Sequence, residues 1–342
     1  MKAMVLNEVG AMSAARDPLV LRDLPEPVAG EGEILIRVAA CGVCHTELDE
    51  IEGRAAPPHL PVILGHQAVG QVVARGSNVT GVDIGQRCGV AWIFSACGHC
   101  AHCLAENENL CPDFRATGRD ADGGYAEYMT VPAGFAHPIP ETFSDAEAAP
   151  LLCAGAIGYR SLKLAGLHSG MRLGLTGFGA SAHLVLMMVR HRYPSVEIYV
   201  FARQPEERAF ALELGAVWAG DTSQAAPAKL HAVIDTTPAW LPVVKALENL
   251  NPGGRLVINA IRKEETDKHE LLSLDYPRHL WLEKEIKSVA NVARGDVRDF
   301  LALAAEIPLR PAIETYDLED ANRALLDLKM RRVRGAKVLV IG

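Results

Sequence analysis

Apolar positions change rhythm along the chain, and the change divides it into three stretches. From Met1 to about Leu152 they come in short runs, such as Ile34–Ala39, Ala68–Ala74 and Gln86–Val90, with Gly30, Gly32, Gly76, Gly81 and Gly85 between them. Short β-like runs punctuated by glycine predict an irregular β domain. From about Cys153 to Val289 the rhythm becomes strand, helix, strand. Strands are expected over 172–176, 197–201, 231–235 and 255–258, and helices over 181–191 and 205–214. That alternation predicts an α/β unit with a doubly wound parallel sheet. Beyond it, 296–306 and 318–330 read as helices and 337–341 as a terminal strand; no internal repeat or low-complexity linker interrupts the pattern.

Composition narrows the class. A chain of 342 residues is long enough for two cores, and 49% hydrophobic with 22% charged residues is an ordinary globular balance. The net charge of −8 argues against a nucleic-acid surface, and the longest basic run, Lys329–Arg334, reads as a helix end meeting a turn. The first nine residues lack the cationic flank and apolar core of a secretory leader. The longest apolar stretch, Leu184–Val189, is too short to cross a bilayer. Eight cysteines in a chain read as leaderless point to a reducing cytoplasm and to metal binding rather than disulfides.

Half of those cysteines stand together. Cys97, Cys100, Cys103 and Cys111 form a C-x2-C-x2-C-x7-C pattern. Four thiolates at this spacing can close around one tetrahedral Zn²⁺, at about 2.3 Å each. A disulfide pair or incidental buried cysteines are the alternatives. A closed four-thiolate site is structural, so the chemistry must lie elsewhere.

A cofactor signature stands between the first strand and helix of the middle region. Gly177-Phe178-Gly179-Ala180-Ser181-Ala182 is G-x-G-x-x-A. The first glycine permits a tight turn, the second admits a pyrophosphate against the backbone, and Ala182 lets the helix lie on the sheet. The helix N-terminus offers free N–H groups to the phosphates. The next strand ends in Ala202-Arg203, where an NAD site would carry an acidic residue. Loss of that carboxylate, with Arg203 as a donor fork and Arg208 as an assistant, suits a 2′-phosphate. The expectation is NADP(H) in preference to NAD(H), against a reading of Arg203 as a solvated loop charge.

A second donor set is scattered. Cys44 lies in Cys-Gly-Val-Cys-His-Thr-Glu, His66 in Gly-His-Gln, and Cys153 at the junction with the middle region. Two thiolates and one imidazole make a three-ligand zinc site with an open fourth position. Spacing alone does not establish that these segments meet.

Cys-Gly-Val-Cys-His-Thr, Gly-His-Gln, the four-cysteine lobe and Gly-Phe-Gly-Ala-Ser-Ala, in this order and spacing, resemble the zinc-dependent alcohol dehydrogenases of the medium-chain dehydrogenase/reductase superfamily over essentially the whole chain. The resemblance implies a GroES-like β-rich catalytic domain from 1–154 and 291–342, with a zinc lobe at about 92–115. It implies a Rossmann coenzyme domain from 155–290 between the two. Two zinc ions per chain are implied, one on Cys44, His66 and Cys153, the other on the four lobe cysteines. Thr46 matches the hydroxyl that contacts the substrate oxygen and relays its proton toward the coenzyme ribose; a helix-cap threonine is the alternative. His45 and the 177–182 turn fall at coenzyme positions. Trp92 matches a wall of the alcohol pocket or serves packing alone. Glu47 is expected to fix the tautomer of His66, and Cys41 and Cys88 are expected to be small core hydrophobes.

Two positions depart from the family. Gln67 follows the zinc histidine where glutamate is usual, which keeps an ion with two thiolates formally neutral. Asp49 stands where well-known members end their relay in histidine; it reads either as a relay base or as a surface charge, with water or His45 as substitutes. A polyol dehydrogenase is disfavoured by Cys153 and the intact lobe, and a zinc-free reductase by the ligands. A nucleotide-bound zinc redox sensor would keep the same sites without turnover. The substrate expected is a primary, possibly secondary, alcohol or its aldehyde. A short loop before the lobe suggests a homotetramer, with a dimer as the alternative, and no nucleic-acid or membrane partner is expected.

Overall fold

The computed structural model describes residues 1–307, 309–330 and 335–342, so most of the basic run, 331–334, lies outside the described residues. The chain forms two compact units: Met1–Cys153 with Val292–Gly342, and Ala154–Asn291.

The first unit is built on β3 (Glu33–Val43), whose apolar positions Ile34, Ile36, Val38 and Ala40 are buried. On one edge it pairs antiparallel with β5 (Ala68–Arg75), which leads on to β6 (Arg87–Val90) and β10 (Ala136–Pro138). On the other it takes β9 (Tyr128–Pro132) at residues 33–37 and β18 (Ala336–Val340) at residues 40–43. β17 (Ile313–Asp317) extends the sheet parallel to β18. A smaller sheet places β1 (Lys2–Leu6) between β2 (Leu19–Asp23) and β4 (Val62–Ile63). Met4, Leu6, Ile34, Ile36, Leu64, Tyr125, Met129 and Leu339 meet in one apolar core. Alternating burial along antiparallel strands is what such a core requires.

Short helices cluster around it: α1 (His45–Ile51), α2 (Ala101–Leu104) and α3 (Asp145–Ala148). The C-terminal segment adds α8 (Arg294–Glu306) and α9 (Ala321–Lys329). The helix expected over 318–330 begins as a 3₁₀ turn at Leu318–Asp320. The cysteine lobe is pinched at its base by β7 (Ile93–Ser95) against β8 (Arg115–Ala116). Arg294, at the start of α8, ties that lobe down: its Nε donates to Glu108 Oε1 at 2.7 Å, and the carboxylate is buried.

The second unit is a parallel sheet of order β13-β12-β11-β14-β15-β16 among the described residues. Its strands are β11 (Arg172–Thr176), β12 (Glu197–Phe201), β13 (Trp218–Gly220), β14 (Leu230–Asp235), β15 (Leu250–Ile258) and β16 (Glu285–Ser288). Helices α4 (Ala154–Ala165), α5 (Ala180–Arg192), α6 (Pro205–Glu213) and α7 (Leu241–Asn249) accompany them. Leu173, Leu175, Ile198, Val200, Val233 and Ile234 are all but inaccessible, as expected of strands buried on both faces. After β13 the chain returns to the far side of β11. The carboxyl ends of β11 and β14 therefore flank a topological switch point, the place where such sheets bind ligands.

His137 on β10 gives the first unit a pH-sensitive element. Burial, with the cations of Arg294 and Arg298 nearby, pushes its imidazole down to about 4, so it folds neutral. Below the unfolded value of about 6.5 the denatured chain takes up a proton that the native state refuses. Stability therefore declines as pH falls from about 6.5 to about 4, by up to roughly 3 kcal/mol. Denaturation curves of His137→Gln against pH should lack that part of the acid limb. Parallel curves for variant and parent would contradict it.

Candidate metal and coenzyme sites

Cys44 ends β3's extended backbone and caps α1, its thiol accepting the Thr46 N–H at 3.3 Å. Glu47 completes the cap, Oε2 accepting the Cys44 N–H at 2.9 Å. Its other oxygen lies 2.5 Å from His66 Nδ1, in a position that is wholly buried. With Nδ1 engaged, Nε2 faces Cys44 Sγ at 3.7 Å. His66 reaches this place because Gly65, at φ +99°, turns the chain where a Cβ would strike the Tyr125 ring at 2.4 Å. Cys153 arrives from the 3₁₀ turn Ala149–Leu152, and the donor atoms of Cys44, His66 and Cys153 all lie within 4.8 Å of one another.

This donor set fits a divalent zinc-like ion: two sulfurs and one nitrogen converge, with the imidazole orientation fixed from behind. Without the ion, Cys44 and His66 are both biased toward their protonated forms. The neighbouring Cys153 thiol, burial and Glu47 push Cys44 up. Burial opposes charge on His66, but Glu47 and Cys44 outweigh it and hold the imidazole well above its ordinary value. A cation entering here displaces protons, so its affinity falls in acid.

In the lobe, Cys97, Cys100, Cys103 and Cys111 likewise bring their sulfurs within 4.8 Å of one another. Backbone N–H groups already point at the sulfurs, Cys100 N at Cys97 Sγ (3.4 Å) and Cys103 N at Cys100 Sγ (3.5 Å). Backbone donors from His99 and Cys100 lower Cys97 to about 6, whereas desolvation raises Cys103 to about 12. All eight cysteines are unpaired thiols, and Cys41 and Cys88 lie in the core.

Other expected residues fall as follows. Thr46 is buried beside the cap and His45 is exposed at the first position of α1. Trp92 packs on Phe114 with ring centroids 4.9 Å apart, and its indole N–H is buried with no partner among the described residues. Gln67 is buried against Gly42, its amide nitrogen likewise unpartnered. Asp49 requires a correction: it is no surface charge. It is 3% exposed and accepts Arg54 Nε at 2.6 Å, because α1 turns that face inward and Arg54 folds back to neutralise it.

Two residues of the first unit, Glu50 and Tyr125, escaped the sequence reading. Glu50 is buried with neither carboxylate oxygen partnered among the described residues, and burial, followed by the charge of Glu47, pushes its carboxyl well up. Tyr125 is fully buried with an unpartnered hydroxyl, raised by the same two causes. The i, i+3 spacing of Glu47 and Glu50 was the available signal.

In the second unit, β11 runs into the glycine turn and α5 begins at Ala180. Gly177 has φ +75°, and a Cβ there would meet Thr236 Oγ1 at 2.9 Å. Gly179 differs: a Cβ would meet nothing within 4 Å, which leaves the space a phosphate needs. No side chain caps α5, so its first amides remain available to an anion. Phe178 is buried on Phe210 and Ala182 is fully buried under the sheet. Ser181 Oγ donates to Ala154 O at 2.9 Å. Ala202 is buried and Arg203 exposed. Arg208 does not reach outward: Nη1 donates to the carbonyls of Ala202 and Arg203, at 2.8 Å each.

Comparison with known proteins identifies the family. Residues 30–141 match the alcohol dehydrogenase GroES-like domain family. The chain is 42% identical over 346 residues to a probable alcohol dehydrogenase, AdhA, of Mycobacterium tuberculosis, covering 100% of this chain and 97% of that one. An alcohol dehydrogenase of Geobacillus stearothermophilus is 31% identical, with 99% and 98% covered. The structure of a cinnamyl alcohol dehydrogenase from Sorghum bicolor superposes with a TM-score of 0.83 at 25% identity, over 99% of this chain and 97% of that one. No helix among the described residues is long and apolar enough to cross a membrane. Full-length similarity at this level places the chain in the zinc-dependent alcohol dehydrogenase family of the medium-chain dehydrogenase/reductase superfamily, as an NAD(P)-dependent enzyme acting on a small-molecule alcohol.

Proposed function

We propose that this alcohol dehydrogenase works at the Cys44–His66–Cys153 centre, holds a second zinc in the four-cysteine lobe, and prefers NADP(H) to NAD(H). The observation that carries the reading is the convergence of two half-buried thiols on a buried, Glu47-oriented imidazole. When bound, the catalytic ion supplies Lewis acidity toward an alcohol or carbonyl oxygen, and the nicotinamide supplies two-electron exchange with the adjacent carbon.

The chain's own residues do the rest. Thr46, held in the first turn of α1, accepts the alcohol proton at Oγ1 as its own hydroxyl proton passes on, and His45 or water carries that proton outward. In carbonyl reduction both steps reverse. Glu47 keeps Nδ1 of His66 engaged, so Nε2 stays the ligating nitrogen. Gln67 leaves the centre formally neutral where a carboxylate would add negative charge. Asp49 belongs to an ion pair with Arg54, so the outward proton path runs through His45 or water. Trp92 is assigned to the wall that would meet an apolar tail, and a primary or secondary alcohol of aliphatic or aromatic type is the proposed substrate. A cytoplasmic homotetramer is the proposed form.

On the coenzyme side, Ala202 removes the carboxylate that would repel a 2′-phosphate, and exposed Arg203 offers the donor fork. Arg208 acts indirectly, holding the carbonyls from which Arg203 projects.

Steady-state reduction of an aldehyde panel with NADPH and NADH tests this reading. The parent should favour NADPH, and Arg203→Asp should shift the ratio of kcat/KM values toward NADH by about 10–100-fold, corresponding to loss of a charged hydrogen bond. An unchanged ratio would refute the selectivity, and no turnover with any carbonyl would refute the activity. At the metal, Glu47→Gln should weaken zinc binding by about 10–100-fold, read by chelator competition. Unaltered affinity would mean that the imidazole needs no such support.

A further inference from the structure

At the carboxyl ends of β11 and β14 a single buried carboxylate gathers a network that the zinc chemistry does not use. Asp235 is fully buried, and its Oδ1 accepts Thr176 Oγ1 at 2.5 Å, Thr237 Oγ1 at 2.7 Å and the Thr237 N–H at 3.2 Å. Oδ2 accepts Lys263 Nζ. That ammonium also donates to the carbonyls of Thr237 (2.8 Å) and Ala239 (3.0 Å), so its three protons are all used. Thr176 is the last residue of β11 and pairs in register with Asp235. Gly177 follows it directly, and Thr236 Oγ1 closes back on the Thr176 carbonyl at 2.9 Å. The network therefore lies at the switch point, against the first glycine of the coenzyme turn.

We propose that Lys263 is a positioning residue for the coenzyme: it cancels the charge of Asp235 beside the Gly177–Ala182 turn and pins the Thr236–Ala239 loop against that turn. The inference rests on the reading that this turn holds the coenzyme pyrophosphate. An uncompensated carboxylate buried there would repel a polyanion through a poorly screened interior. The lysine comes from the loop after β15, so one side chain joins the ends of three strands around the place where phosphates arrive. Because the charge acts on the whole dinucleotide, oxidised and reduced coenzyme lose affinity together, and KM rises more than kcat falls.

The test is NADPH binding to the metal-loaded enzyme by fluorescence titration, with kcat and KM measured in parallel. Lys263→Met should raise the NADPH Kd by about tenfold or more at pH 8, and Lys263→Arg should keep most of the affinity. Lys263→Met/Asp235→Asn, which removes both charges, should bind within about threefold of the parent. A Lys263→Met Kd within about twofold of the parent would overturn the proposal, as would a double variant no better than the single one. Should Lys263→Met fail to fold, Lys263→Gln, which drops the charge but can still donate to the Thr237 and Ala239 carbonyls, takes its place with the same two thresholds. Gly179→Asp tests the underlying reading separately, since it places a carboxylate in open space at the turn. If that variant binds NADPH like the parent, the turn is not the phosphate site. If it loses NADPH while Lys263→Met does not, only the role of Lys263 falls.

Discussion

One carboxylate, that of Glu47, holds the catalytic unit in its working arrangement. One oxygen closes the N-terminus of α1 on the Cys44 amide, and the other lies against His66 Nδ1. A thiol at the end of a strand and an imidazole from a separate loop are thereby referred to the same side chain. Full burial makes the arrangement obligatory, because a carboxylate with no access to water must satisfy its oxygens within the protein. The same carboxylate also favours the protonated forms of Cys44 and His66.

The second unit solves a different problem by a similar device. Its parallel strands end together at a switch point, and the glycine turn at 177–182, proposed to receive phosphates, contains no basic residue of its own. Open space at Gly179 and uncapped amides at the head of α5 supply the attraction. Asp235, buried on the neighbouring strand in register with Thr176, would act against it, and Lys263 offsets that charge in place. Each unit thus places a buried carboxylate, Glu47 or Asp235, at its proposed site and engages it with a side chain of opposite or complementary character.

Much of this was legible in the residues because it is local. The C-x2-C-x2-C-x7-C lobe and the G-x-G-x-x-A turn are encoded within a few positions, and buried strands announced themselves as apolar runs ending at the turn. The Cys44–His66–Cys153 set could not be reached that way. Its members meet only through tertiary folding, and resemblance rather than spacing brought them together. The surface-charge reading of Asp49 failed because nothing in Leu48-Asp49-Glu50 reveals which face of α1 turns inward, and the Arg54 partner lies beyond the helix end. Glu50, Tyr125 and Lys263 were missed for a related reason: a lone glutamate, tyrosine or lysine reads as an ordinary surface residue until burial is known. Arg208 was recognised as belonging near the coenzyme strand, although its guanidinium turns to the backbone rather than outward.

X-ray absorption at the zinc edge of the purified protein tests the central claim most directly. Two zinc ions per chain are expected, with an averaged shell of about three sulfurs near 2.3 Å and one imidazole shared between the two ions. An all-sulfur shell, or a single ion per chain, would contradict the catalytic centre built around His66.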